Sequence, residues 1–324
     1  MKISRKNMLT TALLLLSAAC FLFQAKKTAE FAYIGLKTWF DNMIISLFPF
    51  MVLMNLLLRS GFSCFFIQPF YLLLRPVFKN TKDAVFVIFF GFLCGFPLGA
   101  KCVVDLYKCK RISKENAEYL LCFSNNIGAS YMLGFFVAVI KPDVSLSVII
   151  LCLYGLPLLY GLILRYTLYR KPLDAEYLQE KYYKSKQYLN KQPQNILQVL
   201  PDAVMDALRQ IATLGGYMVL FNALRVIPHT FFKNIPLLYI TSQCLLEISG
   251  GLLCVQNCIS DPLAKILCLF SVYSFNGFCC HFQTFALMQG TSLSKQKYML
   301  HKIILCSITV FLVWFCSVTG HGQI

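Results

Sequence analysis

The chemistry available to this sequence is carried by a few polar residues set inside long apolar runs. In Gly91-Phe-Leu-Cys-Gly95-Phe-Pro97-Leu-Gly99-Ala-Lys101, three glycines recur every four residues, and Asp105 follows one helical turn after Lys101. Glycines at that spacing let a second backbone approach closely. Pro97 lacks an amide donor and frees carbonyls upstream, so the helix should open there. Lys101 either reaches the interface and pairs with Asp105, or meets an anion at the opened helix end. A phosphate loop is excluded, because no hydroxyl residue follows the lysine.

Three more stretches have this character. Ser124-Asn125-Asn126-Ile127-Gly128 interrupts an apolar run, which suits a helix break lining a cavity, or else a surface turn. Gln243 and Glu247 lie in the apolar stretch 237–255, where a carboxylate is costly unless paired, protonated or functional. Asn276, His281 and Gln283 follow a break near Asn276, and His281 is the residue type that titrates near neutrality. His281 beside Cys279 and Cys280 gives poor tetrahedral geometry, so no metal or other cofactor is expected. No catalytic residue is assigned. A hydrolase or transferase built on Glu247 and His281 would want a second carboxylate or a serine nucleophile in a motif.

The elements that must position these groups follow from composition. Of 324 residues 58% are hydrophobic and only 14% charged, against about 25% charged in soluble domains. Stretches 8–25, 144–169 and 303–320 are long enough to cross a bilayer as helices. Runs such as Ala12-Leu13-Leu14-Leu15-Leu16 do not alternate as barrel strands would. The expectation is an all-α, polytopic helical membrane protein. The net charge of +16 lies between spans and concentrates in 165–191, marking a cytoplasmic connection rather than nucleic-acid binding. Fifteen cysteines read as small, soft helix-facing side chains. Lys2, Arg5 and Lys6 before the run from Met8 give an uncleaved signal anchor.

Four segments are expected: an anchor helix in 1–28, a first membrane half in 29–169, a cytoplasmic basic loop in 170–195 and a second membrane half in 196–324. Within them, 30–41 reads as interfacial, 42–60 as a span and 84–107 as a broken helix. A short helix covers 113–124, with spans at 127–140 and 144–168. The second half offers 203–227, 235–258, 262–289 broken near Asn276, and 302–320. Phe50–Leu57 matches Tyr217–Leu224 at an offset of 167, and Ile112-Ser113-Lys114 matches Leu293-Ser294-Lys295 at an offset of 181. These matches point to duplicated halves, expected to be inverted repeats with broken or re-entrant helices, the usual sequence pointer to a transporter site. Inversion would place Lys295, Lys297 and Lys302 outside, against the positive-inside tendency.

Taken together, these residues resemble the YlbJ-type sporulation integral membrane proteins, within the nucleoside-recognition (Gate) domain superfamily. The resemblance runs from about Trp39 to His301. It rests on Leu47-Phe48-Pro49-Phe50, Gly95-Phe96-Pro97-Leu98-Gly99-Ala100-Lys101, Ile112-Ser113-Lys114-Glu115, Phe123-Ser124-Asn125-Asn126, Glu247-Ile248-Ser249-Gly250 and His281-Phe282-Gln283. Where the family usually reads Asn-Gly-Pro after the paired asparagines, this chain has Ile127-Gly128-Ala129. The resemblance implies a Gate-type fold with two related halves. In sporulating bacteria it implies movement of dipicolinate across the outer forespore membrane.

The functional expectation is a multi-pass cell-membrane transport protein for a small organic, anionic solute, and not an enzyme. Gly95, Pro97, Gly99 and Lys101 would bind the anion, with Asn125, Asn126, Asn276 and Gln283 orienting it. Glu247 or His281 would couple protons, although sodium serves equally as a coupling ion. The other expected partners are the lipid bilayer and a homo-oligomeric copy. A non-transporting scaffold or assembly factor, and a nucleoside transporter, are the alternatives.

Overall fold

The computed structural model describes residues 5–137, 144–170 and 195–319. The fold is all-α. It opens with α1 (Arg5–Phe23) and α2 (Ala25–Thr38). A π-helical turn, Trp39–Ile44, joins α2 to α3 (Ile45–Ser60). Short α4 (Ser63–Phe66) and α5 (Gln68–Phe78) lead to the facing pair α6 (Lys82–Leu93) and α7 (Leu98–Lys108). Next come α8 (Lys114–Phe123) and α9 (Ala129–Tyr131), the latter running into a π segment, Met132–Phe136. α10 (Leu146–Ile150) continues through a further π segment into α11 (Leu156–Tyr166). The second half runs α12 (Ile196–Leu224), α13 (Val226–Phe232), α14 (Pro236–Leu246) and α15 (Ile248–Cys258). It ends with α16 (Pro262–Phe275), α17 (Gly277–Leu287) and α18 (Lys295–Thr319).

Five helical stretches among the described residues have the length and apolarity to cross a membrane: Ala25–Ser60, Leu146–Tyr166, Ile196–Phe232, Pro262–Leu287 and Lys295–Val318. With α1, α4, α5 and α13 set aside, the two halves show the same order of elements. A long helix comes first (α2–α3, then α12), and a helix pair with a break follows (α6–α7, then α14–α15). Next is a second broken pair (α8–α9, then α16–α17), and a long closing helix ends the half (α10–α11, then α18).

The two long opening helices lie side by side, because small residues meet backbone or rings there. A Cβ on Gly35 would come within 2.6 Å of the Met218 carbonyl. Trp39 donates its indole N–H to the Ile211 carbonyl at 2.8 Å, and Arg59 pairs with Asp206. This packing overturns the interfacial reading of 30–41. That segment is part of one continuous helical stretch to Ser60, because Gly35 and Trp39 dock on α12.

One other expectation changes. The span expected over 235–258 divides at Glu247, which adopts extended backbone (φ −152°, ψ 141°) and caps α15 with its own carboxylate. Of the second repeat match, Ser113 Oγ accepts from the Asn116 amide at the start of α8, and Ser294 Oγ accepts from the Lys297 amide at the start of α18. Of the first, Phe50–Leu57 lies on α3 and Tyr217–Leu224 on α12. The expected cytoplasmic loop lies, but for its two end residues, outside the described residues, as does the end of the span expected at 127–140.

Candidate functional site

The first break, between α6 and α7, follows from Gly95 and Pro97. Gly95 has φ +71°, which disfavours any side chain, and a Cβ there would overlap the Gly128 backbone. Gly91 and Gly99 both face the Ser124 carbonyl, and a Cβ on Gly99 would lie 2.6 Å from it. The glycine stripe is therefore the seat of the second break, 124–128. Main-chain bonding completes the join, with the Phe96 amide donating to the Asn126 carbonyl at 2.7 Å.

The paired asparagines cap helix ends. Asn126 donates Nδ2–H to the Phe123 carbonyl at 2.5 Å, covering the open end of α8. Asn125 Oδ1 accepts from the Ala100 amide at 3.0 Å, so it caps the start of α7 from another element. Its Nδ2 donates to Thr284 Oγ1 at 3.1 Å and Tyr298 OH at 3.3 Å, reaching into the second half. Tyr298 OH in turn lies 3.1 Å from His281 Nδ1.

Glu247 forms the third break. Its Oε2 accepts from the Gly250 amide and from Asn222 Nδ2, both at 2.9 Å, and Oε1 accepts from Ser249 Oγ at 3.2 Å. Asn222 Oδ1 accepts from Arg225 at 3.0 Å, so one amide bridges a buried carboxylate and a buried guanidinium. Arg225 also donates to Gln243 Oε1 at 2.6 Å and the Gly250 carbonyl at 2.9 Å, and stacks over Phe31. The fourth break is Asn276, left-handed at φ +75°, with its Oδ1 buried and unpartnered.

All four breaks lie close to one small cavity of about 50 Å³ between the halves. Cys94 and Phe96 come from the first break, Gly128 from the second and Glu247 from the third, while Cys279 and Gln283 follow the fourth. Gln283 is buried and its Oε1 has no hydrogen-bond partner. Met43, Leu47, Leu214 and Met218 of the long opening helices close the remaining side. The cavity is smaller than the roughly 300 Å³ usual for a small-molecule site.

No family model and no solved structure matches the chain. The sporulation integral membrane protein YlbJ of Bacillus subtilis (strain 168) is 23% identical over 324 aligned residues, covering 90% of this chain and 77% of the relative. The chain is thus similar to this relative over most of its length, well beyond either half. This similarity agrees with the several membrane-length helices in making this a multi-pass membrane protein.

Within this fold the ten sequence-derived site residues divide. Gly95, Glu247 and Gln283 stand at the cavity or its break, and Asn125, Asn126 and His281 lie in the polar network beside it. Pro97 and Gly99 shape the first break, and Asn276 shapes the fourth. Lys101 instead pairs with the partly exposed Asp105, one turn on, and is not among the cavity-lining residues. The lysine that meets the paired asparagines is Lys302, fully buried on α18. It donates to the Asn125 carbonyl, and to Asn126 Oδ1 at 2.7 Å. Sequence reading also missed Asn222, Arg225, Thr284 and Tyr298. The spacing of Ser294, Tyr298 and Lys302, four apart on one helix face, was the available signal for the lysine.

Proposed function

We propose that this chain is a membrane transport protein for a small organic solute, with a carboxylate-bearing solute favoured, and that the cavity between the four breaks is where the solute binds. The observation that carries this reading is the convergence of all four breaks, two from each half, around one cavity. Broken helices at corresponding places in two halves, meeting at a shared hollow, are the architecture of secondary transporters. A scaffold needs no such buried polar network. The repeated order of elements supports related halves, and in this reading the second is inverted relative to the first, as in Gate-type proteins.

The chemistry of the walls fits a solute with both donors and acceptors. Glu247 Oε1 and Gln283 Oε1 present acceptors, while Tyr131 and Ser249 hydroxyls pair at 3.1 Å beside them. Two cations stand behind this surface, Arg225 bridged to Glu247 by Asn222 and Lys302 on the second break, and they offset the negative charge of Glu247 toward a carboxylate-bearing solute. Lys101 remains a candidate at the outer approach. Any coupling ion, proton or sodium, would act through Glu247. No chemical change to the solute is involved.

The test is counterflow in proteoliposomes of purified protein, with dipicolinate, other small mono- and dicarboxylates, and nucleosides as separate substrates. Saturable exchange of a carboxylate that Glu247→Gln or Gln283→Leu alters is expected. Exchange of nucleosides alone would replace the solute class, and no exchange of any compound would favour the scaffold reading.

A further inference from the structure

Lys302 is the one fully buried lysine among the described residues, and no carboxylate there forms an ion pair with it. Among the other buried charged groups, Glu247 and Arg225 share Asn222, Glu118 holds Lys297 at 2.7 Å, and Arg165 donates to the main-chain carbonyls of Phe78, Lys79 and Tyr169. Lys302 instead points its Nζ at two neutral oxygens of the first half's second break, the Asn125 carbonyl and Asn126 Oδ1. The orientation of the Asn126 amide is fixed independently, because its Nδ2 donates to the Phe123 carbonyl. Both oxygens stand at the C-terminal end of α8, the negative end of the helix dipole.

Carbonyl and amide oxygens at an unwound helix end are a cation-binding arrangement in membrane transporters. Here the arrangement is already filled by a side chain. We infer that Lys302 is a tethered cation, its ammonium occupying a cation-binding hollow that the break at 124–126 forms. The second half's closing helix thereby supplies covalently what a dissolved monovalent ion would otherwise supply. Without it, two buried oxygens would lose their donor at a place water does not readily reach. Contacts in the turns of α18 before Lys302 keep it there: the Ser294 amide and Lys297 hold Glu118, and His301 Nδ1 lies 2.5 Å from Tyr160 OH. This inference stands on these contacts alone and does not depend on what the protein transports.

The hollow should be refillable. Lys302→Ala removes the ammonium and its stem but leaves both oxygens. The melting temperature of purified full-length Lys302→Ala protein in detergent should rise saturably, by about 3 °C or more, with sodium chloride or ethylammonium chloride. Tetramethylammonium chloride should not produce this rise, since it carries charge without an N–H donor and is too large. The parent should show no such difference between salts, and neither should Lys302→Met, which fills the hollow with an apolar chain. Equal response of Lys302→Ala to all three salts would overturn the inference, as would an equal shift in the parent. A measurement on the parent covers the case in which Lys302→Ala does not fold. In lysine-15N-labelled protein at neutral pH, the resonance lost in Lys302→Met should carry the chemical shift of an NH3+ group. The shift of an uncharged amine there would overturn the tethered-cation role.

Discussion

Asn125 offers the sharpest test of how the first half holds its shape, because one side chain makes three contacts to three elements. Asn125→Ala removes the cap on the Ala100 amide at 3.0 Å and the donors to Thr284 and Tyr298 at 3.1 and 3.3 Å. Losing an N-cap costs about 1 kcal/mol. Hydrogen bonds between membrane helices average about 0.6 kcal/mol each. The sum is about 2 kcal/mol, or roughly 30-fold in the unfolding equilibrium. Thr284→Val removes one of the helix–helix bonds and should cost about 0.6 kcal/mol on that account; Tyr298→Phe also loses the contact to His281 and should cost about 1.2 kcal/mol. The assay is reversible unfolding in mixed micelles, followed by far-ultraviolet circular dichroism, for the three single variants and the Asn125→Ala/Tyr298→Phe double. The double should cost less than the sum of its singles by about 0.6 kcal/mol, since the same bond cannot be lost twice. If Asn125→Ala costs no more than Thr284→Val, the capping of α7 across elements contributes nothing and the account of the first break is wrong.

Other predictions follow from neighbouring contacts. Gly95→Ala should sharply reduce folded protein, because its Cβ would overlap the Gly128 backbone at φ +71°; a monodisperse size-exclusion peak at parental yield would contradict the seating of the two breaks. Lys101→Gln breaks an i,i+4 pair with a partly exposed Asp105, so stability should fall by about 0.5 kcal/mol and solute affinity change by less than about threefold. A tenfold loss of affinity in equilibrium binding would return the anion to Lys101. Arg225→Leu strands the Glu247 carboxylate and should cost about 3–5 kcal/mol, whereas Arg225→Leu/Glu247→Leu should recover part of that loss in the same unfolding assay.

How much of this was legible from sequence depends on whether the signal was local. The breaks at Gly95–Pro97 and Asn276 were legible because glycine, proline and asparagine act on their own backbone, whatever packs around them. The paired asparagines were legible as a break, and their partners were not: the residues Asn125 contacts lie 25, 159 and 173 positions away. Glu247 was visible as a costly carboxylate, but an apolar run gives no sign that its chain turns extended to put that carboxylate on a helix N-terminus. Asn222 and Arg225 were overlooked for a related reason. They sit three apart at the end of an apolar helix, where an arginine ordinarily reaches the interface. Lys302 misled most, since a lysine at the edge of a span reads as the span's boundary. The charge is instead interior, and the oxygens that make it tolerable belong to the other half of the chain, 176 residues earlier in the case of Asn126. Local residue chemistry thus located the breaks, but which cation meets which break is a property of how the halves close on each other. The chemistry of the site has to be assigned from contacts between the halves rather than from any motif within one of them.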